Sequence, residues 1–266
     1  QNDDLGAEVR VIKDDVMNIT RHESELKTSD YVFFMASPRL NEINDLPQPL
    51  PYLDALSKTL EICDDEDLKT QVIFFSSCSV YGYQKGIMNE FSQTKVTSLY
   101  SKLKIESENI LKKFGNDRFK IIRLSTLFGL SRVPRNDLLI NNFVKDILFS
   151  KYLEVYDPQA WRPNINIFTL IDVLKELAEG DKFESILNIG FNELNITKQD
   201  LILTLVTQNK LDFAVKYYAP SDSRSYRVNF SRLESLIENT EPISYSAGVD
   251  QLIDGFKREL SNHYEE

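Results

Sequence analysis

A phenol and an amine stand four positions apart in Tyr100-Ser101-Lys102-Leu103-Lys104. On a helix, residues i and i+4 project from one face, so the Lys104 ammonium can lie beside the Tyr100 phenol. A phenol of ordinary pKa about 10 is a poor base at neutral pH, and a neighbouring cation favours its phenolate. Such a pair is suited to taking a proton from a hydroxyl and returning it. Alone, Tyr-x-x-x-Lys is common on solvated helices and carries little weight. A second feature raises it. The run Phe75-Ser76-Ser77-Cys78-Ser79-Val80-Tyr81-Gly82 puts hydroxyls directly after an apolar segment. In parallel α/β sheets, ligands bind at the carboxyl ends of the strands. Ser77 and Ser79 are therefore candidates to meet the phenol across a substrate; the bland alternative is that they merely satisfy a strand end.

The elements that must position these groups read as strand and helix in alternation. Tyr31 to Met35, Val72 to Phe75 and Phe119 to Leu124 are apolar runs without polar alternation, as suits parallel strands covered on both faces. Glu8 to Ile12 reads as a further short strand. Helical patterns fall at Leu50 to Cys63, Ser98 to Phe114 and Asn136 to Phe149. This rhythm predicts an α/β domain with a parallel sheet over residues 1–150. From residue 151 to 266 the elements become shorter and mixed, which predicts a smaller lobe interleaved with the first. Short strands are expected at Tyr152 to Tyr156, Asn164 to Ile167, Ile186 to Ile189 and Asp212 to Tyr217. Helices are expected at Thr169 to Ala178, Lys198 to Thr207, Phe230 to Ile237 and Val249 to Leu260.

Composition bounds the chemistry. The 266 residues carry 31 Lys and Arg against 41 Asp and Glu, a formal charge of −10. That balance disfavours a nucleic-acid binder, which needs a basic footprint, and an anionic membrane surface. No run approaches the roughly 20 apolar residues of a membrane span. Two cysteines, Cys63 and Cys78, make no disulfide framework, and a reduced cytoplasmic setting is expected. The two histidines, His22 and His263, stand in no Cys/His cluster, so neither a bound metal nor a His-based triad is expected.

At this point the sequence resembles the extended short-chain dehydrogenase/reductase family, in the branch of sugar-nucleotide epimerases and dehydratases. The resemblance rests on Asp30 to Ser37, Ser76 to Gly82, Tyr100 to Glu108 and Arg123 to Gly129, together with Trp161-Arg162-Pro163 and Asp222 to Val228. It implies a Rossmann-like, doubly wound parallel sheet with a smaller substrate lobe. It also implies NAD or NADP as cofactor, with NAD favoured, a nucleotide-sugar substrate and a homodimer. Position by position, Ser77 falls on the family's catalytic hydroxyl, Tyr100 on its acid and base, and Lys104 on the residue that holds the nicotinamide ribose. Asp15 and Val16 match positions near the adenine; Met35, Ala36 and Ser37 would lie along the cofactor. Ser79 and Thr126 fall on substrate contacts, and Arg135, Asn141, Arg162 and Arg224 on positions that hold a nucleotide diphosphate. Guanidinium forks suit phosphate oxygens.

The departures are equally specific. Dehydratases of this branch carry an Asp-Glu pair where this chain has Cys78 and Ser79, and neither can supply the acid and base of water elimination. An epimerase or a keto-sugar reductase is therefore expected, a cofactor-free binding or regulatory subunit being the rival. The family's opening strand, glycine-rich turn and helix have no match here; the chain starts at what resembles the third strand, and the missing turn is what brings N–H groups to the cofactor pyrophosphate. Two expectations follow. The strand at Tyr31 to Met35 should present an apolar, unpaired edge, and the natural gene product should carry an upstream βαβ segment on the order of 30 residues or more.

Overall fold

Apolar runs in this chain become the buried strands of one parallel sheet. The computed structural model describes residues 9–38, 51–133, 135–219 and 225–263, with backbone alone at residues 259–263. Strands β1 (Tyr31–Phe34), β2 (Gln71–Ser77), β4 (Phe119–Leu124) and β8 (Ile186–Ile189) form the sheet in the order β1-β2-β4-β8. Every pairing within it is parallel. Successive side chains of a strand point to opposite faces, and β2 uses both. Val72 and Phe74 join one apolar cluster, with Leu56 and Leu60 of α2 (Pro51–Cys63) and Leu103 and Leu111 of α3 (Leu99–Phe114). Ile73 and Phe75 join the other, with residues of α4 (Leu139–Ser150), α5 (Ile167–Glu179) and α8 (Tyr245–His263). A sheet buried on both faces needs no polar alternation, which is why its strands read as continuous hydrophobic runs. The doubly wound arrangement expected from the sequence is present.

Smaller elements gather around the carboxyl ends of these strands. Strand β3 (Ile87–Met88) pairs with β11 (Arg227–Val228). Strand β5 (Thr126–Phe128) pairs with β7 (Trp161–Asn166), which also pairs antiparallel with β9 (Asn195–Thr197). Strand β6 (Tyr152–Tyr156) pairs with β10 (Ala214–Tyr218). Helix α6 (Lys198–Thr207) follows β9, and the short α7 (Ser231–Glu234) follows β11. Among the described residues no helix is long and apolar enough to cross a membrane.

The front of the chain departs from expectation. Residues 9–15 have no regular structure, so the strand expected at Glu8 to Ile12 is absent there, Glu8 itself lying outside the described residues. Val9, Val11 and Ile12 are 54%, 51% and 44% exposed. Alternating apolar residues make a strand only beside a neighbour that takes their backbone hydrogen bonds, and no described strand lies next to them. Instead the Asp15 carboxylate accepts from the Met17 backbone N–H at 2.9 Å and caps a 3₁₀ turn, Val16–His22, which runs into α1 (Glu23–Thr28). Among the described residues β1 pairs only with β2, so the sheet ends on the apolar strand that the sequence marks as an edge.

Candidate active site

Helix α3 starts just before Tyr100 because serines hold its first turn. The Ser98 hydroxyl accepts from the Ser101 N–H at 3.1 Å, and the Ser101 hydroxyl accepts from the Ser98 N–H at 2.9 Å. This reciprocal cap sets Tyr100 at the mouth of the helix. Across from it, β2 ends at Ser77, whose hydroxyl accepts from the Ser79 N–H at 3.2 Å and turns the chain into a 3₁₀ turn, Cys78–Tyr81. Gly82 closes that turn at φ +60°. A Cβ there would stand 2.7 Å from Thr97 Cγ2 and 3.0 Å from the Lys95 carbonyl oxygen.

Between these elements lies a cleft of about 500 Å³ at the carboxyl end of the sheet. Ser77, Ser79 and Tyr100 line it, as do Met35 and Ser37 from the end of β1, Thr126 from β5, and Arg135 and Arg162. The Ser77 hydroxyl and the Tyr100 phenol line the same cleft, and the hydroxyl favours the phenolate. Burial raises the Tyr100 pKa above its ordinary value, while the Ser77 hydroxyl and the Arg135 guanidinium pull it down. Ser79 contributes a buried Oγ with no hydrogen-bond partner in the fold. Arg135 grips Asp137 through two bonds of 2.8 Å. Arg162 is 7% exposed, donates to the Trp161 carbonyl at 3.0 Å, and lies 5.7 Å over the Tyr226 ring.

Lys104 shares the α3 face with Tyr100, yet it does not line the cleft. It is 2% exposed, its ammonium donates to the Phe75 carbonyl at 2.8 Å, and it lies 5.7 Å from the Tyr100 ring centroid. Burial among Tyr52, Phe74 and Tyr100 lowers its pKa to about 7, with Glu108 acting the other way. The cation that draws the phenol's pKa down is thus Arg135, the helix lysine being turned to the Phe75 carbonyl.

Asn141, Ala36, Asp15 and Val16 do not line the cleft. Asn141 is 2% exposed; its Oδ1 accepts from the Gly129 N–H at 3.0 Å and its Nδ2 donates to the Arg135 carbonyl at 3.3 Å. Its amide fastens the segment before α4 and is consumed there, so it does not join the cleft. Ala36 packs against the cluster under α2. Asp15 and Val16 line a second hollow of about 210 Å³ with Ile12, Asp14, Ile19 and His22, none of which lines the cleft. Arg224 lies outside the described residues. The cleft also contains residues that sequence reasoning passed over, among them Asp137, Asn142, Lys198 and Tyr226. Tyr226 sits in the quoted Asp222 to Val228 motif, and Asn142 is the neighbour of the chosen Asn141. For Lys198 the signal was faint: it opens α6, and its ammonium donates to the Tyr156 carbonyl at 2.6 Å.

The parallel sheet with helices on both faces agrees with the comparisons. The chain belongs to the NAD dependent epimerase/dehydratase family, which matches residues 2–190. Among solved structures, the UDP-glucuronic acid 4-epimerase from Bacillus cereus, in complex with UDP-glucuronic acid and NAD, is similar at a TM-score of 0.80 and 22% identity. That match covers 96% of this chain and 83% of that one. The UDP-N-acetylglucosamine 4-epimerase from Methanobrevibacter ruminantium M1 gives 0.79 at 22% identity, covering 97% and 87%. The NAD dependent NDP-hexosamine 5,6-dehydratase TunA, involved in tunicamycin biosynthesis, gives 0.79 at 21%, covering 95% and 84%. At these identities the likeness is one of fold.

Proposed function

We propose that this protein oxidises and reduces a hydroxyl-bearing carbon of a nucleotide-activated sugar with NAD, as an epimerase or a keto-sugar reductase. The observation that carries the reading is that Ser77 and Tyr100 line one strand-end cleft, where the serine hydroxyl favours the phenolate. The nicotinamide end of a dinucleotide fits the residues present. Met35 and Ser37 wall the cleft beside Ser77 and Tyr100, and the unpartnered Ser79 Oγ awaits a polar group. No described residue is assigned to the pyrophosphate. When bound, NAD supplies a hydride acceptor and, reduced, a hydride donor.

The protein's own groups then do the following. The Tyr100 oxygen takes the proton of the sugar hydroxyl and gives it back. Ser77 orients that hydroxyl and stabilises the phenolate by donating to it. Arg135 adds positive charge beside the phenolate, and Arg162 offers a guanidinium to the diphosphate. Lys104 secures the end of β2 through the Phe75 carbonyl, and so fixes where Ser77 stands. A dehydratase is disfavoured because Cys78 is buried, its thiol is pushed up by desolvation, and it donates to the Arg123 carbonyl at 3.1 Å.

Proton NMR of the full-length protein with NAD or NADH and a set of nucleotide sugars tests the reading. An epimerase inverts one sugar carbon without net loss of cofactor, whereas a reductase consumes NADH in proportion to product. Absence of turnover across the set, with no NAD binding by calorimetry, overturns it in favour of a cofactor-free binding subunit. The seclusion of Lys104 from the cleft is the observation that speaks for that alternative.

A further inference from the structure

Helix α3 carries a third functional position on the face of Tyr100 and Lys104. Glu108, two turns beyond Tyr100, is 1% exposed, and its partner Arg123 on β4 is 2% exposed. The pair is a two-point fork: Arg123 Nε donates to Glu108 Oε1 at 3.0 Å and Nη2 to Oε2 at 2.7 Å. Glu108 Oε1 also accepts from the Ser76 hydroxyl at 2.6 Å, and Ser76 immediately precedes Ser77. The third arm of Arg123, Nη1, donates to the Tyr81 hydroxyl at 3.0 Å and the Glu90 carbonyl at 3.2 Å. Tyr81 in turn donates to Asn188 Oδ1 at 2.7 Å, and the Asn188 N–H donates to Glu90 Oε1 at 3.0 Å.

Four of the segments tied by this network carry or flank a group of the proposed site. Strand β2 ends in Ser77, the turn holding Tyr81 follows it, Glu90 lies on the segment leading to α3, and α3 carries Tyr100. Burying an ion pair is a poor way to add stability, since well-packed apolar residues commonly serve as well. What a guanidinium fork adds is direction, with several donors fixed in one plane. We propose that the Glu108–Arg123 pair is a positioning device that holds the Ser77 hydroxyl facing the Tyr100 phenol across the cleft. The inference rests on the reading of Tyr100 as acid and base. The groups facing the phenol are Ser77 from β2, Arg135 with its partner Asp137 from the segment before α4, Tyr52 from α2, and Lys104 from α3 itself. Of these, Ser77 is the one whose position the network sets directly.

The sign of the effect is fixed. Ser77 donation favours the phenolate, so loosening it moves the rising limb of the pH–kcat profile to higher pH. Arg123→Lys keeps the charge and loses the fork; Ser76→Ala keeps the ion pair and cuts its link to β2. Both should lower kcat at neutral pH by on the order of tenfold to a hundredfold, as misplacement by a fraction of an ångström does, with KM little changed. Both should shift the rising limb upward, as Ser77→Ala does. In the Ser77→Ala background, Arg123→Lys should add no further shift, because the groups act in series. Additive shifts, or a lower melting temperature with an unmoved limb in either variant, overturn the proposal. Fluorine NMR of fluorotyrosine-labelled protein, with the Tyr100 signal assigned by its loss in Tyr100→Phe, follows the same titration without turnover. If the wild type turns over no nucleotide sugar while that titration still moves in Ser76→Ala, the functional reading fails and the positioning role stands.

Discussion

At the reacting centre, the Tyr100 phenol is pulled two ways. Burial holds it neutral, while Ser77 and Arg135 favour its anion. Arg135→Gln should therefore move the rising limb of the pH–rate profile upward, and the shift should shrink at high salt because Arg135 is partly solvated. Lys104 makes a separate prediction about stability. Its folded pKa of about 7 lies below the ordinary 10.5, so the folded state binds fewer protons than the unfolded one between those values. The penalty of burying its charge is full below pH about 7 and fades as pH rises towards 10.5, so this group makes stability climb across that window. Lys104→Met should flatten the dependence of melting temperature on pH there. That Ser77 and Tyr100 share a cleft was legible from types and spacing. The destination of Lys104 was not, because i and i+4 spacing gives a shared face without saying whether a long side chain turns outward or under the sheet.

The segments that carry these residues make predictions of their own. Gly82 has φ +60° and ψ −160°, a region essentially reserved for glycine, and it lies hard against Thr97. Gly82→Ala should cost on the order of 1–3 kcal/mol, read as a lower melting temperature, and should loosen the turn that carries Ser79. Ser98→Ala removes the cap of α3 and should cost about 1 kcal/mol, with a loss of turnover larger than that of unfolding alone because Tyr100 sits in the first helical turn. Parallel strands and long amphipathic helices were readable; β4, β6, β8 and α6 match their expected limits to the residue. Strands β3, β5, β9 and β11 span two or three residues each, too few for any period. The turn at Val16–His22 has no fully buried residue and lays only Val16 and Ile19 on the cluster under α2, too short a pattern to read beside the capping Asp15. Residues 9–12 show the converse error, a strand-like pattern with no described strand beside it.

For the whole molecule, a chain of charge −10 walls its cleft with Arg135 and Arg162. Binding of a nucleoside diphosphate should weaken as ionic strength rises. Arg162→Met should raise KM for the nucleotide sugar by roughly tenfold or more, the loss of a charged hydrogen bond, with kcat near the wild-type value. The central claim is that Tyr100 moves the proton in a redox step at a sugar carbon. Its most direct test pairs calorimetric binding of a nucleotide sugar and NAD with turnover of the same sugar, for the wild type and Tyr100→Phe. The account predicts binding by both proteins and a kcat lower by roughly 10²–10⁴-fold in the variant. Turnover by Tyr100→Phe at the wild-type rate would contradict it.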